Sequence, residues 1–156
     1  MQDKQASLLT LEQYIPYRLS ILSNKVSALV AQAYKNKFAL SITEWRIMAV
    51  LGEYSDISAD EISNKTQIEK SIISRAVNSL LKRSLIERYI SKEDKRRSEI
   101  RLSSTGYDVY AEIVPASLAY EEELLRCLSE DEQAVFSNIM SKLDEHAQTL
   151  NFLKDS

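Results

Sequence analysis

The side chains most able to do chemistry here are donors and cations, not nucleophiles or metal ligands. They gather in the stretch from Ile68 to Gly106, IEKSIISRAVNSLLKRSLIERYISKEDKRRSEIRLSSTG. Lys70, Ser71, Ser74, Arg75, Asn78 and Lys82 recur at the spacing that puts residues on one face of a helix. Glu69 is their one acidic neighbour. Such a face suits a duplex groove. Cations meet phosphates, the guanidinium fork of Arg75 matches a guanine edge, and the amide of Asn78 matches adenine or grips a phosphate. A second cationic cluster, Lys95-Arg96-Arg97, follows Asp94.

The elements that must position these groups can be read from periodicity. Ile68, Ile72, Ile73, Ala76, Val77, Leu80 and Leu81 form an apolar stripe at the helical period, opposite the polar face. After Lys82-Arg83-Ser84 the period changes. Leu85 to Ile90 is short and rich in β-branched and aromatic residues, and Ser98 to Leu102 alternates polar with apolar, so both predict strands. SKEDKRR between them is too polar to bury and predicts an exposed loop. Ahead of the helix, Ser58-Ala59-Asp60-Glu61 reads as a capping box opening a helix from Ala59 to about Lys65, with Thr66-Gln67-Ile68 as the turn. A helix, a turn, a second helix and a ribbon with a basic tip make a winged helix-turn-helix.

The motifs then become specific. Asp94-Lys95-Arg96-Arg97 followed by Leu102-Ser103-Ser104-Thr105-Gly106 resembles the D-x-R-R…L-[ST]-x-x-G signature of the MarR family of regulators. Lys82-Arg83-Ser84-Leu85-Ile86-Glu87-Arg88 resembles that family's K-x-G-L-[VI]-x-R, and Ser41-Ile42-Thr43-Glu44-Trp45 resembles the start of its second helix. Ser84 departs from the pattern, standing where the family has Gly. That position is expected to close the helix in a left-handed conformation, at a cost of roughly 1 kcal/mol for a residue with a Cβ.

The resemblance implies a homodimer that binds double-stranded DNA at a pseudo-palindromic operator, with Ser71, Ser74, Arg75 and Asn78 facing the major groove. It implies that Arg96 enters the minor groove, with Asp94 orienting its guanidinium or bracing the loop. Lys65, Lys70, Lys95 and Arg97 fit phosphate contacts, which position without specifying sequence. It also implies a small aromatic or carboxylate effector between the first two helices and the helix after the wing. Arg18, Trp45 and Arg46, with Tyr17 and Tyr110, are the candidates for that site, an arginine beside an aromatic wall being suited to a phenolic acid. The competing reading makes the tyrosines and Trp45 core residues and either arginine a subunit bridge.

The remaining chain fits a mainly α protein with a small β wing. One long helix is predicted from about Thr10 to Asn36, with Pro16 either in its first turn or at a kink, and residues 1–9 are expected to fray. The next helix is capped by Ser41 or Thr43, carries Trp45, Met48, Ala49, Val50 and Leu51 on its core face, and ends near Gly52; Ile57 is a short strand candidate. Two helices follow the wing. The first spans Thr105 to Cys127, with Pro115 expected to kink it, and the second is capped at Ser129-Glu130-Asp131-Glu132 and extends to Leu153. The whole chain, 1–156, reads as a single unit: residues 40–104 form the winged helix-turn-helix, and residues 10–36 with 105–153 form a helical dimerisation region built from the N- and C-terminal helices.

Composition limits the alternatives. The net charge of −3 argues against DNA binding until its distribution is seen. From Asp56 to Arg101 eleven Lys and Arg stand against eight Asp and Glu, a surplus of three positive charges. From Leu102 onward three stand against eleven. A cationic face can steer toward phosphates despite a negative total. No apolar run approaches the ~20 residues that span a bilayer, and no signal peptide is evident, so a cytoplasmic protein is expected. Cys127 is the only cysteine and His146 the only histidine, so neither an internal disulfide nor a transition-metal site is expected, and Cys127 is expected to be inert. No phosphate loop, Ser/His/Asp order or Cys/His pair supports an enzyme, and no cofactor is implied. The reading is therefore a transcription regulator, a repressor released by a small molecule. The alternative is a helical dimeric protein-interaction module with a vestigial wing.

Overall fold

The computed structural model describes residues 7–151. The chain divides into two compact units, one up to Ser117 and one from Leu118 onward. Some sequence readings end beyond the described residues, among them the far end of the last helix at Leu153 and the fraying of residues 1–6.

The first unit opens with a single 3-10 turn, Leu11–Gln13, and then helix α1, Ile15–Val30. Pro16 lies in the first turn of α1, where a missing N–H costs nothing, so of the two readings of Pro16 the helix start is the one observed. The predicted single helix from Thr10 to Asn36 is not continuous. It gives way to a 3-10 turn at Ala31–Ala33, a non-helical Tyr34, and a short helix α2, Lys35–Phe38, closed by Ala39 at φ 50°. The cause is tertiary. Tyr34 is 2% exposed and stacks on Trp45, and the break puts its ring in the core.

Helix α3, Ile42–Glu53, starts on a capping box: Ser41 Oγ accepts the Glu44 N–H at 3.1 Å, and the Glu44 carboxylate accepts the Ser41 N–H at 3.0 Å. Ser41, not Thr43, is the cap. Helix α4, Ala59–Thr66, repeats the device with Ser58 and Glu61. The turn to helix α5, Lys70–Lys82, runs through Gln67 at φ 56° and is tied by Ser63 Oγ donating to the Ile68 carbonyl at 2.5 Å. Ile73, Val77 and Leu80 are fully buried. Ile68 lies just before the helix and still packs against the core, whereas Ile72, predicted to join the same apolar stripe, is 37% exposed. At about 100° per residue, Ile72 sits a quarter-turn from Ile73 and falls off the buried face.

Strands β1, Ile86–Ile90, and β2, Ser98–Leu102, pair antiparallel with Ile86 opposite Leu102 and Ile90 opposite Ser98. Ile57 adds a bridge to Ile100, as its β-branched type predicts. Ser84, which links α5 to the wing, is left-handed at φ 57°. Its turn is locked to helix α6, Ser104–Leu125, by Ser103: the hydroxyl donates to the Ser84 carbonyl at 2.6 Å and accepts the Gly106 N–H at 2.9 Å. Gly106 is required by close approach, because a Cβ there would come 1.9 Å from the Leu85 carbonyl oxygen. The L-S-S-T-G run is thus the joint between the wing and the following helix. The core of this unit gathers Tyr34, Leu40, Ile47, Met48, Leu51, Ile62, Ile73, Val77, Leu80, Ile100 and Ile113 from nearly every element.

The second unit holds the end of α6 and helix α7, Glu130–Asn151. The helix after the wing runs through Pro115 and stops at Leu125, two residues short of the predicted Cys127. Ser129 caps α7, its hydroxyl accepting the Glu132 N–H at 3.1 Å while the Glu132 carboxylate accepts the Ser129 N–H at 2.8 Å. Gln133 donates to the Leu125 and Leu128 carbonyls and closes the turn. Val135, Phe136, Ile139, Met140, Leu143 and Leu150 of α7 are 42–56% exposed. Among the described residues no helix is long and apolar enough to cross a membrane.

Candidate nucleic-acid interface

Burying Ile73, Val77 and Leu80 forces the opposite face of α5 outward, and Lys70, Ser71, Ser74, Arg75, Asn78 and Lys82 are all exposed. Lys70 reaches Asp60 at 3.4 Å, with both side chains largely in water, where such a pair contributes about 0–1 kcal/mol and yields readily to a phosphate. Lys65 lies 3.7 Å over the Tyr54 ring, a cation–π contact that fixes it near the C-terminus of α4.

The wing tip is built around Ser91 and Asp94. The buried Ser91 hydroxyl accepts the Glu93 and Asp94 N–H groups, each at 3.3 Å. The Asp94 carboxylate accepts the Arg96 N–H at 3.0 Å, and its carbonyl accepts the Arg97 N–H at 2.9 Å. Asp94 therefore braces the loop; the guanidinium-orienting alternative is not what the geometry shows. Lys95 and Arg96 are exposed, and the Arg96 guanidinium has no side-chain partner among the described residues.

Arg97 is differently placed. Its guanidinium bonds the Glu61 carboxylate and ties the wing to the start of α4. That bond, followed by the Ser58 N–H, holds the Glu61 carboxyl below the usual carboxylate range. Arg101 pairs with Glu87 directly across the ribbon and lies over the Tyr89 ring, whose hydroxyl bonds Asp56. The wing is thus held on both edges, and its tip is shaped locally.

The residues proposed for an effector separate into two places. Trp45 stacks on Tyr34 with ring centroids 5.6 Å apart and meets Tyr110 at 5.9 Å. Gly52 allows this: a Cβ there would sit 2.4 Å from the Tyr110 ring. Arg46, beside Trp45, donates to Ser27 Oγ at 3.1 Å and joins α3 to α1. Burial raises the Tyr34 hydroxyl above its ordinary value, with Arg46 opposing. Arg18 and Tyr17, by contrast, line a separate hollow on α1 with Glu12, Ile15, Leu22 and Lys25. Arg18 lies nine residues before Ser27, about 13 Å along the helix. Arg18 and the Ser27 partner of Arg46 therefore belong to different parts of the surface of α1.

Sequence reasoning missed one polar group near the interface. Glu44 is 9% exposed, and its second oxygen accepts Ser79 Oγ, from α5, at 3.0 Å. Arg83 lies 4.0 Å from that carboxylate and donates to the Ala39 carbonyl at 3.1 Å and to the Phe38 carbonyl. The capping box marks one role of Glu44; nothing in the local sequence marks the other.

The comparisons with known proteins follow the geometry. Residues 40–98 match the model of the MarR family. The chain is 29% identical over 136 residues to the HTH-type transcriptional regulator PapX of Escherichia coli, covering 86% of this chain and 83% of that protein. The crystal structure of a MarR/EmrR family transcriptional regulator from Acinetobacter sp. ADP1 is 29% identical, covers 90% of this chain and 99% of its own, and superposes with a TM-score of 0.83. A further likeness, of fold alone, is to Bordetella bronchiseptica BpsR at 16% identity and a TM-score of 0.75, covering 83% of this chain and 98% of that one; its DNA binding is regulated by 6-hydroxynicotinic acid.

Proposed function

We propose that the chain is a winged helix-turn-helix transcription regulator of the MarR family, a homodimeric repressor released from its operator by a small aromatic carboxylate. The observation that carries the reading is the pairing of two surfaces: an exposed donor face on α5 and a braced wing tip that leaves Arg96 free. Ser71, Ser74, Arg75 and Asn78 read the major groove, Arg96 enters the minor groove, and Lys65, Lys70 and Lys95 hold phosphates. Arg97, bonded to Glu61, reaches a phosphate only by sharing or leaving that bond.

Residues 40–104 form the DNA-binding region, and residues 10–36 with 105–153 the dimerisation region. Support for a second copy comes from apolar side chains left half in water: Ile15, Leu19 and Leu22 on α1, and Phe136, Ile139 and Leu143 on α7. Exposure on that scale marks interaction surfaces. Two recognition helices related by a two-fold axis read half-sites about one helical turn apart, roughly 34–36 Å. The protein acts on DNA in the cytoplasm.

The effector reading rests on Arg46 beside the Tyr34–Trp45–Tyr110 rings, with Arg18 and Tyr17 as the second candidate place. The regulation of BpsR by an aromatic carboxylic acid is in keeping with that chemistry. An effector must bind the DNA-incompetent arrangement better than the competent one, or it releases nothing. Footprinting on a duplex selected from a random library tests the reading. A protected pseudo-palindrome with two half-sites is expected, and a single asymmetric half-site bound by one subunit would remove the two-fold model.

A further inference from the structure

Beyond the groove-reading row, α5 carries a shallow hollow near its C-terminal end, lined by Arg75, Asn78, Ser79, Lys82 and Arg83. Three cations and the Asn78 amide meet there, the Ser79 hydroxyl being given to the one nearby carboxylate. Glu44 is buried, accepts the Ser41 N–H and the Ser79 hydroxyl, and faces Arg83 at 4.0 Å. Arg83 is held in place by donating to the Ala39 and Phe38 carbonyls. Lys82 and Arg75 have no ion-pair partner among the described residues. Like charges converging on one hollow repel until an anion arrives, and a fixed guanidinium that loses little freedom on binding favours an anion with several acceptor oxygens.

We propose that this hollow binds a phosphodiester of the DNA backbone, with Lys82 and Arg83 as its anchors, at the C-terminal end of the recognition helix, where the chain turns into the first wing strand. The inference rests on the DNA-binding reading above. Its role is to fix the register of α5 along the groove: a phosphate held at Lys82 sets how far the row from Ser71 to Asn78 reaches. Glu44 holds Ser79 in place and stands behind Arg83, so the hollow is formed before DNA arrives.

The test uses the full chain and a random-sequence duplex, with affinity measured at several salt concentrations. Lys82→Gln removes an exposed charge that has no ion-pair partner among the described residues. It is expected to weaken binding roughly three- to tenfold at 0.1 M salt and to make the log–log salt slope shallower by about 0.9, the value for one phosphate contact. Lys142→Gln on α7 is the control and is expected to leave both unchanged. A Lys82→Gln variant with wild-type affinity and slope would overturn the hollow while leaving the DNA-binding reading intact. A wild-type chain without salt-dependent duplex binding would overturn both. Inorganic phosphate is the second arm: stabilisation of wild type but not Lys82→Gln by phosphate, with no change in the duplex salt slope, would assign the site to a free anion and overturn the DNA assignment.

Discussion

The Asp94 carboxylate accepts the backbone N–H of Arg96 at 3.0 Å, so a side chain two residues back shapes the turn from which the Arg96 guanidinium projects. Asp94→Ala is expected to loosen the tip, weakening DNA binding several-fold with little change in melting temperature, since the loop is exposed. Asp94→Asn keeps the acceptor oxygen and is expected to retain most of the affinity. Titration of a duplex with the three proteins, alongside thermal melts, checks this. Equal affinity in all three would show that the turn does not matter for DNA.

Ser84 is left-handed at φ 57°, where a Cβ is strained. Ser84→Gly is therefore expected to stabilise the chain by roughly 1 kcal/mol. Urea unfolding reads this as a higher midpoint at an unchanged slope. A lower midpoint would mean that the Ser84 side chain contributes more than its strain costs.

Gly106 and Gly52 are predicted to differ in what they tolerate. The Cβ of Gly106→Ala meets a backbone carbonyl at 1.9 Å and is expected to destabilise by roughly 2 kcal/mol or more. The Cβ of Gly52→Ala meets the Tyr110 ring instead, so Tyr110 is expected to move and the emission of Trp45, its neighbour, to change. Unfolding curves and fluorescence spectra of the two variants separate the cases. An unchanged Trp45 spectrum in Gly52→Ala would show that Tyr110 does not depend on that glycine.

Much of the fold was legible because its signals are local. The caps at Ser41, Ser58 and Ser129, Pro16 at the start of α1, and the Asp94-to-Gly106 run each act within a few residues. What was not legible depends on distant partners. The break at Tyr34 serves a ring stacked on Trp45, and the second role of Glu44 is set by Ser79, thirty-five residues on. Ile72 misled because an apolar residue one step off a buried stripe scores the same in periodicity as one on it. Arg18 and Arg46 were grouped by type, and only the helix geometry parts them.

Glu61 carries a pH signature. Its folded carboxyl is held below the unfolded value, chiefly by Arg97, so the bond contributes stability above about pH 4.3, the ordinary Glu value, and that contribution is lost as pH falls through the lower folded value. Arg97→Ala is expected to flatten the fall in stability in that acidic window. Melting temperatures of both proteins from roughly pH 3 to 6 check it. Parallel curves would show that the Glu61–Arg97 pair is not linked to folding.

Effector binding divides on the two arginines. If Arg46 anchors the carboxylate, Arg46→Ala is expected to abolish ligand-induced release with little change in DNA affinity, while Arg18→Ala leaves release intact. Calorimetry with small aromatic acids measures the loss. Equal ligand affinity in wild type and both variants would sink the anchor assignment.

The central claim is that α5 and the wing read DNA through different physics. The most direct measurement compares Arg75→Ala and Arg96→Ala with wild type, on the selected operator and on scrambled DNA, at several salt concentrations. Arg75→Ala is predicted to cost about 1–3 kcal/mol on the operator and to flatten discrimination at one base pair. Arg96→Ala is predicted to weaken binding to many sequences, lose a preference for narrow A·T-rich minor grooves and give a shallower salt slope. The two losses are predicted to add, because the groups lie on separate elements. If both variants bind the operator as wild type does, the assignment of α5 and the wing as the DNA-reading surface is wrong.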